Sequence, residues 1–204
     1  MIISGVAHEV RNPLFGITSI GQILEKEIEL PQHKALTQAM LREAGRMKRL
    51  IDDLLLYTKP TNLVIKDVAA NTLFEEIQNH IRAKRDGISI AMNIAPFMTL
   101  KVDTDKIRQV FLNLLNNAID AAKSSITISA GPIDGFVKII ITDDGAGIRK
   151  EHLSKIFDPF FTTKKGGTGL GLPICKKIIE DHEGSINIAS AEEKGTTVTL
   201  LLKA

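Results

Sequence analysis

The apolar residues in the first part of the chain recur in alternating steps of four and three. One series comprises Ile3, Ala7, Val10, Leu14, Ile17, Gly21, Leu24 and Ile28, and a second comprises Met40, Ala44, Met47, Ile51 and Leu54. This spacing predicts two helices with narrow apolar seams and a short connection near Pro31, so we expect residues 1–58 to form an antiparallel helical hairpin. A lone hairpin buries little surface. Its stripe is therefore expected to meet that of a second chain in a four-helix bundle, and packing on the rest of the same chain is the alternative.

After Pro60 the pattern changes to alternating strands and helices. Strands are predicted at 63–68, 88–94, 125–130, 136–142, 185–190 and 196–202, and helices at 71–84, 103–123 and 170–181, with Asn71 as an N-cap. The turn-forming residues 131–135 predict a hairpin between two of these strands. We therefore expect an α+β protein: the hairpin at 1–58, a stiff linker at 59–62, and a two-layer α/β sandwich at 63–204 with one mixed sheet and helices on one face.

The composition excludes several classes of protein. Lys and Arg number 26 against 24 Asp and Glu, interspersed, which gives a net charge of +2 and no basic face for nucleic acid. The single cysteine excludes a disulfide-built secreted domain and favours a reducing compartment. No apolar run reaches the ~18 residues of a membrane-spanning helix. The expectation is a soluble, cytoplasmic chain without a membrane segment.

An ionisable cluster in the first predicted helix is a candidate for chemistry. His8 lies one step outside the seam, so its imidazole is expected to face water, with Asn12 on the same face. A neutral imidazole can act as a nucleophile, and Glu9 could hold the proton of its other nitrogen. Pro13 costs stability inside a helix and predicts a bend. The remaining histidines lack this context and are expected to be ordinary surface residues: His33, His80, His152 and His182.

Three strings in the second part fit a phosphate site that is not a P-loop, because no Gly-x-x-x-x-Gly-Lys-Ser/Thr string is present. In 113–120, two carboxamides on one helix face suit Mg²⁺ that is bridged by phosphates. In 142–148, an acidic side chain at a strand end can accept a hydrogen bond from the amine of adenine, beside glycines that let backbone approach the base. In 166–172, small residues expose backbone donors at a helix start, which favours an anion.

Each string alone also fits a simpler interpretation: a polar helix face, an ordinary turn or a plain flexible loop. Lys164 and Lys165 precede the third string and could contact phosphates. Exposed glycine-rich loops open at low cost, so a mobile lid is expected across 162–167.

The motif His-Glu-x-x-Asn-Pro-Leu on a dimerising helix resembles the phosphoacceptor box of two-component sensor histidine kinases. The three strings, with Phe-Asp-Pro-Phe-Phe at 157–161 between the second and third, are similar to the N, G1, F and G2 boxes of their catalytic domain. That domain belongs to the ATPase superfamily shared with gyrase, ninety-kilodalton heat-shock chaperones and mismatch-repair proteins. The wording at 160–164 is most similar to the nitrogen-regulation and sporulation-kinase branch.

The resemblance implies an ATP-dependent protein-histidine autokinase. His8 would be phosphorylated, Glu9 would assist removal of the proton, and Asn12 would act in reverse, phosphatase chemistry. Asn117 would be the main Mg²⁺ ligand with Asn113 as its companion. The other ATP-binding residues implied are Asp143, which would fix adenine, together with Asp120, Lys123, Gly145, Gly147, Ile148, Phe160, Thr163, Lys164, Lys165, Gly167, Thr168, Gly169, Leu170, Gly171, Leu172 and Thr196.

The implied partners are a second copy of the chain and the receiver domain of a response regulator, whose Asp would take the phosphoryl group. The linker would hinge between a few orientations. Because seven residues precede His8, we expect an excised catalytic core or a kinase with a separate sensor, with any membrane tether outside this chain. Two alternatives stay open: an ATP-gated binding module whose hairpin only docks partners, and a serine kinase acting on a partner. Neither needs the His-Glu-x-x-Asn-Pro string.

Overall fold

The structure is a computed structural model that describes residues 2–27, 31–58, 62–82, 87–164 and 167–204. The chain divides into two compact units. One comprises Met1–Pro60 with Pro159–Gly171, and the other comprises Thr61–Asp158 with Leu172–Ala204. In the part of the chain that the structure describes, every helix is too short or too polar to cross a lipid bilayer.

The first unit is built on two helices, α1 (Ile2–Glu27) and α2 (Pro31–Thr58). They run antiparallel: Gly21 lies against Leu41, and further along α1 Glu25 Oε1 accepts a hydrogen bond from Nε2 of the earlier Gln38 of α2 at 3.0 Å. Gly21 permits a close approach, because a Cβ there would lie 2.7 Å from Leu41 Cδ2. The predicted helical hairpin is confirmed. Helix α2 begins at Pro31 itself, where the missing backbone donor costs nothing.

The hairpin leaves much of its apolar surface uncovered. Leu14 and Ala44 of the predicted seam are buried, and so is Leu55, which the heptad spacing did not include. Other positions of the predicted seam are exposed: Ile17, Leu24, Met40 and Met47. The exposed apolar side chains, which we call the apolar hairpin face, are Phe15, Ile17, Ile20, Ile23, Leu24, Leu36, Met40 and Met47. Isolated exposed apolar residues are common, whereas a set of this size on one pair of helices indicates an interaction surface.

The second unit contains a five-stranded mixed sheet in the order β2-β4-β5-β7-β6 and a two-stranded antiparallel sheet of β1 with β3. Strands β2 and β4 are parallel, and the other neighbours in the larger sheet are antiparallel. The strands are β1 (Lys66–Ala69), β2 (Ser89–Ile94), β3 (Thr99–Val102), β4 (Ser125–Ile133), β5 (Phe136–Asp143), β6 (Ser185–Ser190) and β7 (Thr196–Lys203). The helices are α3 (Ala70–Arg82), α4 (Thr104–Ala121), α5 (Lys150–Leu153) and α6 (Gly171–Asp181).

Helix α4 forms the centre of the helical layer. Its side chains at helical spacing are buried, among them Ile107, Phe111 and Leu115. Phe111 meets Phe74 of α3 edge-to-face, with 5.6 Å between ring centroids. Asp103 caps the helix by accepting a hydrogen bond from Lys106 N at 3.2 Å. The predicted two-layer α/β sandwich is confirmed.

The turn between β4 and β5 follows its local sequence. Asp134 and Gly135 have φ of +45° and +79°, as a two-residue Asp-Gly hairpin turn requires. Strand β4 extends further toward the turn than predicted, to Ile133, and Pro132 still pairs with Val137; β5 begins at Phe136 as predicted.

Several predictions at the level of single elements were wrong. Helix α3 begins at Ala70, so Asn71 lies inside its first turn and is no cap. Strand β1 begins at Lys66 rather than at residue 63, and β3 and α5 were not predicted. His182, expected on the surface, is 4% exposed: its Nε2 accepts a hydrogen bond from Asp103 N at 3.0 Å, and its Nδ1 faces Ile178 O at 2.7 Å. The imidazole of His182 therefore joins the end of α6 to the start of α4.

Candidate functional site

A carboxylate lies at a core position of the central sheet. Along β5 the inward side chains are Val137, Ile139, Ile141 and then Asp143, which is 6% exposed. Burying a charged group without strong partners is costly, so a carboxylate that continues an apolar row needs a functional reason. Burial raises the pKa of Asp143, and hydrogen bonds from the backbone N–H groups of Gly145 and Thr196 lower it in part.

The neighbouring Asp144 has a structural task. Its carboxylate accepts hydrogen bonds from Ser124 Oγ at 2.6 Å and from the backbone N–H groups of Lys123, Ser124 and Ser125 at 2.9–3.1 Å. These contacts fasten the end of α4 to the end of β5. Hydrogen bonds from Ser124 in particular hold the pKa of Asp144 well below its usual range.

The turn after β5 approaches other backbone too closely for side chains. A Cβ on Gly145 would overlap the carbonyl oxygen of Ala121, and one on Gly147 would overlap that of Ala191. Gly147 also has φ +70°, a conformation that favours glycine. Gly145 N donates to Asp143 Oδ1 at 2.9 Å, so the turn and the buried carboxylate are held as one structure.

Ser190 is a residue of this region that the sequence did not single out. Its hydroxyl accepts a hydrogen bond from Ile148 N at 2.9 Å and donates one to Gly195 O at 2.7 Å. It also lies 3.0 Å from Thr196 Oγ1. Ser190 thereby brings Ile148 and Thr196, both predicted site residues, into one network at the end of the sheet. No single short window of sequence contains all its partners, because Ile148 lies 42 positions before it, whereas Gly195 and Thr196 follow it by five and six.

We expect Gly147→Ala to damage this turn. The new methyl group would meet Ala191 O, and an L-residue at this φ is strained by of order 1–3 kcal/mol. The unfolding midpoint should fall by several degrees, and nucleotide affinity should fall with it, as measured by thermal unfolding with and without ADP. The control is Gly131→Ala on β4, where an added Cβ has no neighbour within 4 Å. Equal effects of the two substitutions would contradict the requirement for glycine at position 147.

Helix α4 presents the polar residues that were predicted to face phosphates. Asn113 and Asn117 lie one turn apart and are partly buried, and Asp120 is exposed. The Asn113 side chain is hydrogen-bonded with Cys175 of α6, a thiol whose pKa burial raises to about 12. Lys123, just beyond α4, is paired with Glu193 at 2.6 Å in this structure.

The glycine-rich loop belongs to the first compact unit. Its ends are joined, since Phe160 N donates to Gly169 O at 3.0 Å and a Cβ on Gly169 would overlap the backbone of Phe160. Within it Lys164 N donates to Thr162 Oγ1 at 3.1 Å, and Gly167 N donates to Lys164 O at 3.1 Å. Thr163 and Lys164 are exposed and Leu170 is buried. Lys165 lies outside the described residues, so the predicted lid across 162–167 is described only in part.

The other predicted residues fall on helices. Gly171 and Leu172 begin α6, and the structure places the backbone of His8, Glu9 and Asn12 in α1. Helical spacing puts His8 and Asn12 on one face, four residues apart. Among the described residues no group of three His, Cys, Asp or Glu side chains could hold a metal ion.

Comparison with protein families gives two matches. Residues 102–204 match the histidine kinase-, DNA gyrase B-, and HSP90-like ATPase family. Residues 1–63 match the His Kinase A phospho-acceptor domain.

Individual proteins and structures agree with these matches. The chain is 39% identical to sensor histidine kinase ZraS of Escherichia coli K12 and 32% identical to sporulation kinase C of Bacillus subtilis 168, in each case over 98% of this chain. It covers 44% and 47% of these relatives, less than half of their length. The crystal structure of full-length ShkA in complex with AMPPNP shares the fold, with a TM-score of 0.84 at 24% identity over 99% of this chain and 46% of that one.

Proposed function

Because the chain belongs to the two-component sensor histidine kinases, we propose that it transfers the γ-phosphoryl group of ATP to its own His8. In this proposal residues 1–58 supply the phosphoacceptor and dimerisation hairpin, 59–62 the linker and 63–204 the ATP-binding domain. The observation that supports nucleotide binding most directly is Asp143, a buried carboxylate in an apolar row beside glycines that touch backbone. No observation favours either alternative function.

Asp143 fits the recognition of adenine. Its carboxylate can only accept hydrogen bonds when ionised, and the exocyclic amine of adenine is a donor. Gly145 and Gly147 would line the base in this proposal; the glycines let their turn pack closely against the backbone of Ala121 and Ala191, which holds it beside Asp143. Thr196, joined to Ser190, pairs with Asp143 across β5 and β7 and belongs to the same network.

The reaction is a transfer between two nucleophiles. One ring nitrogen of His8 forms a bond to the γ-phosphorus, the bond between that phosphorus and the bridging oxygen breaks, and ADP leaves with the electron pair. The proton on the other ring nitrogen passes to Glu9, and Asn12 positions water or the acyl phosphate in the reverse, phosphatase reaction. Such transfers depend on alignment and on neutralising charge more than on covalent help from the protein.

Asn113 and Asn117 are the residues that would hold Mg²⁺. Amide oxygens are hard ligands, and a set poor in carboxylates suits a cation that arrives with the phosphates and keeps several waters. When bound, the cation would neutralise phosphate charge. Asp120, Lys123, Lys164, Lys165 and the backbone from Gly167 to Leu172 are the further contacts that we propose for ATP, together with Ile148, Phe160 and Thr163.

The partners that we propose are a second copy of the chain, through the apolar hairpin face, and the receiver domain of a response regulator. An acceptor Asp there would take the phosphoryl group from the nitrogen–phosphorus bond. A cytoplasmic location stays a prediction.

The apolar hairpin face makes the dimer testable. Ile20 is 60% exposed and shares a face of α1 with Ile17 and Leu24. Ile20→Lys should shift the molecular mass from a dimer toward the 22.3 kDa of one chain in light-scattering chromatography. Phe97→Lys is the matched control, since Phe97 is 99% exposed and lies outside the hairpin. A chain that is monomeric before substitution, or a mass changed only by Phe97→Lys, would refute this use of the face.

The direct test of the function is incubation with γ-labelled ATP and Mg²⁺. We expect label on the chain that is lost in acid and kept in base, as a phosphoramidate requires, and that passes to a receiver domain. Label that survives acid would indicate a hydroxyl acceptor and the serine-kinase alternative. Nucleotide binding without any label would indicate the binding module.

A further inference from the structure

One hydrogen bond in the first compact unit joins the glycine-rich loop to the helical hairpin. Thr168 Oγ1 donates to Asp53 Oδ2 of α2 at 2.9 Å, across 115 positions of sequence. Both residues belong to the same unit, in which 159–171 packs with the hairpin although it lies within the ATP-binding domain by sequence.

Thr168 is well suited to fix the loop. Its hydroxyl oxygen also accepts a hydrogen bond from Leu170 N at 3.4 Å, so one side chain both shapes the turn into α6 and makes the contact with Asp53. Leu170, two residues on, is fully buried, and the hydrogen bond from Phe160 N to Gly169 O joins the two ends of the loop. Because these contacts restrain the backbone around Thr168, fixing its side chain also fixes the position of the loop.

Asp53 is an unusual residue for its position. It is partly buried on α2, and burial raises the pKa of its carboxyl while the hydrogen bond from Thr168 lowers it. An apolar residue would be more stable at a half-buried site, since a carboxylate there loses water. The hydrogen bond from Thr168 is the interaction that a carboxylate at this position provides and an apolar side chain cannot.

The register of the hairpin places this contact along the bundle. Gly21 lies against Leu41, and Glu25 lies against Gln38. Asp53 is twelve residues beyond Leu41, and the position twelve residues before Gly21 on the antiparallel helix is Glu9. Asp53 is thus about level with Glu9 and its neighbour His8 along the hairpin axis.

We propose that Asp53 is a positioning residue for phosphoryl transfer: its carboxylate holds Thr168, and with it the loop at 159–171, against α2 at the level of His8. This inference rests on the proposed autokinase function. A loop that holds the phosphates of ATP would then lie at the same position along the hairpin axis as His8. Phosphoryl transfer depends strongly on such alignment of the reacting groups. Asp53 itself touches neither ATP nor the imidazole in this role.

The experiment compares Asp53→Ala and Asp53→Asn in the 204-residue chain. The alanine variant loses the acceptor, and the asparagine variant keeps an oxygen that can accept from Thr168. We expect Asp53→Ala to lower the initial rate of autophosphorylation about tenfold at saturating ATP, with the KM for ATP little changed, and Asp53→Asn to restore most of the rate. Asp52→Ala, which removes a neighbouring charge from α2, should leave the rate unchanged.

A second readout does not depend on activity. Amide hydrogen exchange across 159–171 should become faster in Asp53→Ala and in Thr168→Val, and should stay near the original rate in Asp53→Asn. The double variant Asp53→Ala/Thr168→Val should exchange no faster than either single variant, because both remove the same bond.

Unchanged exchange in Asp53→Ala would overturn the contact. A faster autophosphorylation rate would show that the contact restrains the kinase, and an equal change in KM would place Asp53 in nucleotide binding; either result overturns the proposal. A chain that never labels with ATP would instead refute the proposed function, and the exchange data would still decide the contact.

Discussion

Replacing His8 with glutamine is expected to abolish incorporation of label from γ-labelled ATP. Glutamine keeps a polar side chain of similar reach and a good helix propensity, so α1 should stay intact. It has no nitrogen lone pair that can attack phosphorus, because the amide nitrogen is only a donor. The fall in labelling should exceed about 100-fold, as expected for loss of a nucleophile rather than of a contact. Phosphorimaging of the chain after a short incubation measures it.

The matched control is His33→Gln. His33 is an exposed histidine near the start of α2, in the same hairpin but without the Glu-x-x-Asn-Pro context. This variant should label at the original rate, and His8→Gln should still bind ADP with the original affinity. Persistent label in His8→Gln would move the acceptor elsewhere and refute the assignment. Loss of label in both variants would indicate damage to the hairpin instead.

The second large effect is expected at Asp143. In Asp143→Asn one oxygen remains to accept from Gly145 N, and an NH₂ group replaces the other oxygen, so the adenine amine would meet a donor in place of an acceptor. Hydrogen bonds to charged groups contribute about 1.5–3 kcal/mol, so the affinity for ATP should fall by about 10- to 100-fold. Competition binding with ATP and ITP sharpens the measurement, because the base of ITP has a carbonyl in place of the amine. The original chain should prefer ATP, and the variant should lose or reverse that preference.

The stability of Asp143→Asn should move in the opposite direction to its affinity. Burial raises the folded-state pKa of Asp143, so the ionised form opposes folding increasingly as the pH rises from the unfolded pKa through the folded one. At neutral pH the amide removes that cost, and the unfolding midpoint should be unchanged or higher. Asp144→Asn is the neighbouring control. The pKa of Asp144 is lowered, so its carboxylate stabilises the fold above its unfolded pKa, and that stabilisation is lost only at strongly acid pH. Its removal should lower the midpoint at neutral pH without changing the choice between ATP and ITP.

The elements that local sequence dictates were predictable. The heptad steps predicted the hairpin, and period-two alternation predicted β2 and β4. Each of these signals arises from one face of one element meeting one environment, which a short window of sequence records. The side-chain positions of His8, Glu9 and Asn12 are not among those described, so their roles stay predictions.

What escaped prediction depends on partners that are distant in the chain. Strand β3 is only four residues long and is defined by pairing with β1, more than thirty positions earlier. Ser190 and His182 act through backbone groups of other elements, and Thr168 through Asp53. A short window contains none of these partners. From local sequence, a histidine directly after a helix is expected on the surface. His182 is buried only because Asp103, at the start of α4, packs against it in the fold.

The sealed thiol of Cys175 has a practical consequence. Only the thiolate reacts with maleimides or methanethiosulfonates, and this sulfur is both inaccessible and, with a pKa of about 12, protonated at neutral pH. The folded protein is therefore not expected to react with these thiol reagents, so its own cysteine does not have to be replaced before labelling. A single cysteine introduced at an exposed position can take a spin label or fluorophore alone, and slow appearance of a second reactive sulfur would time the global opening of the fold.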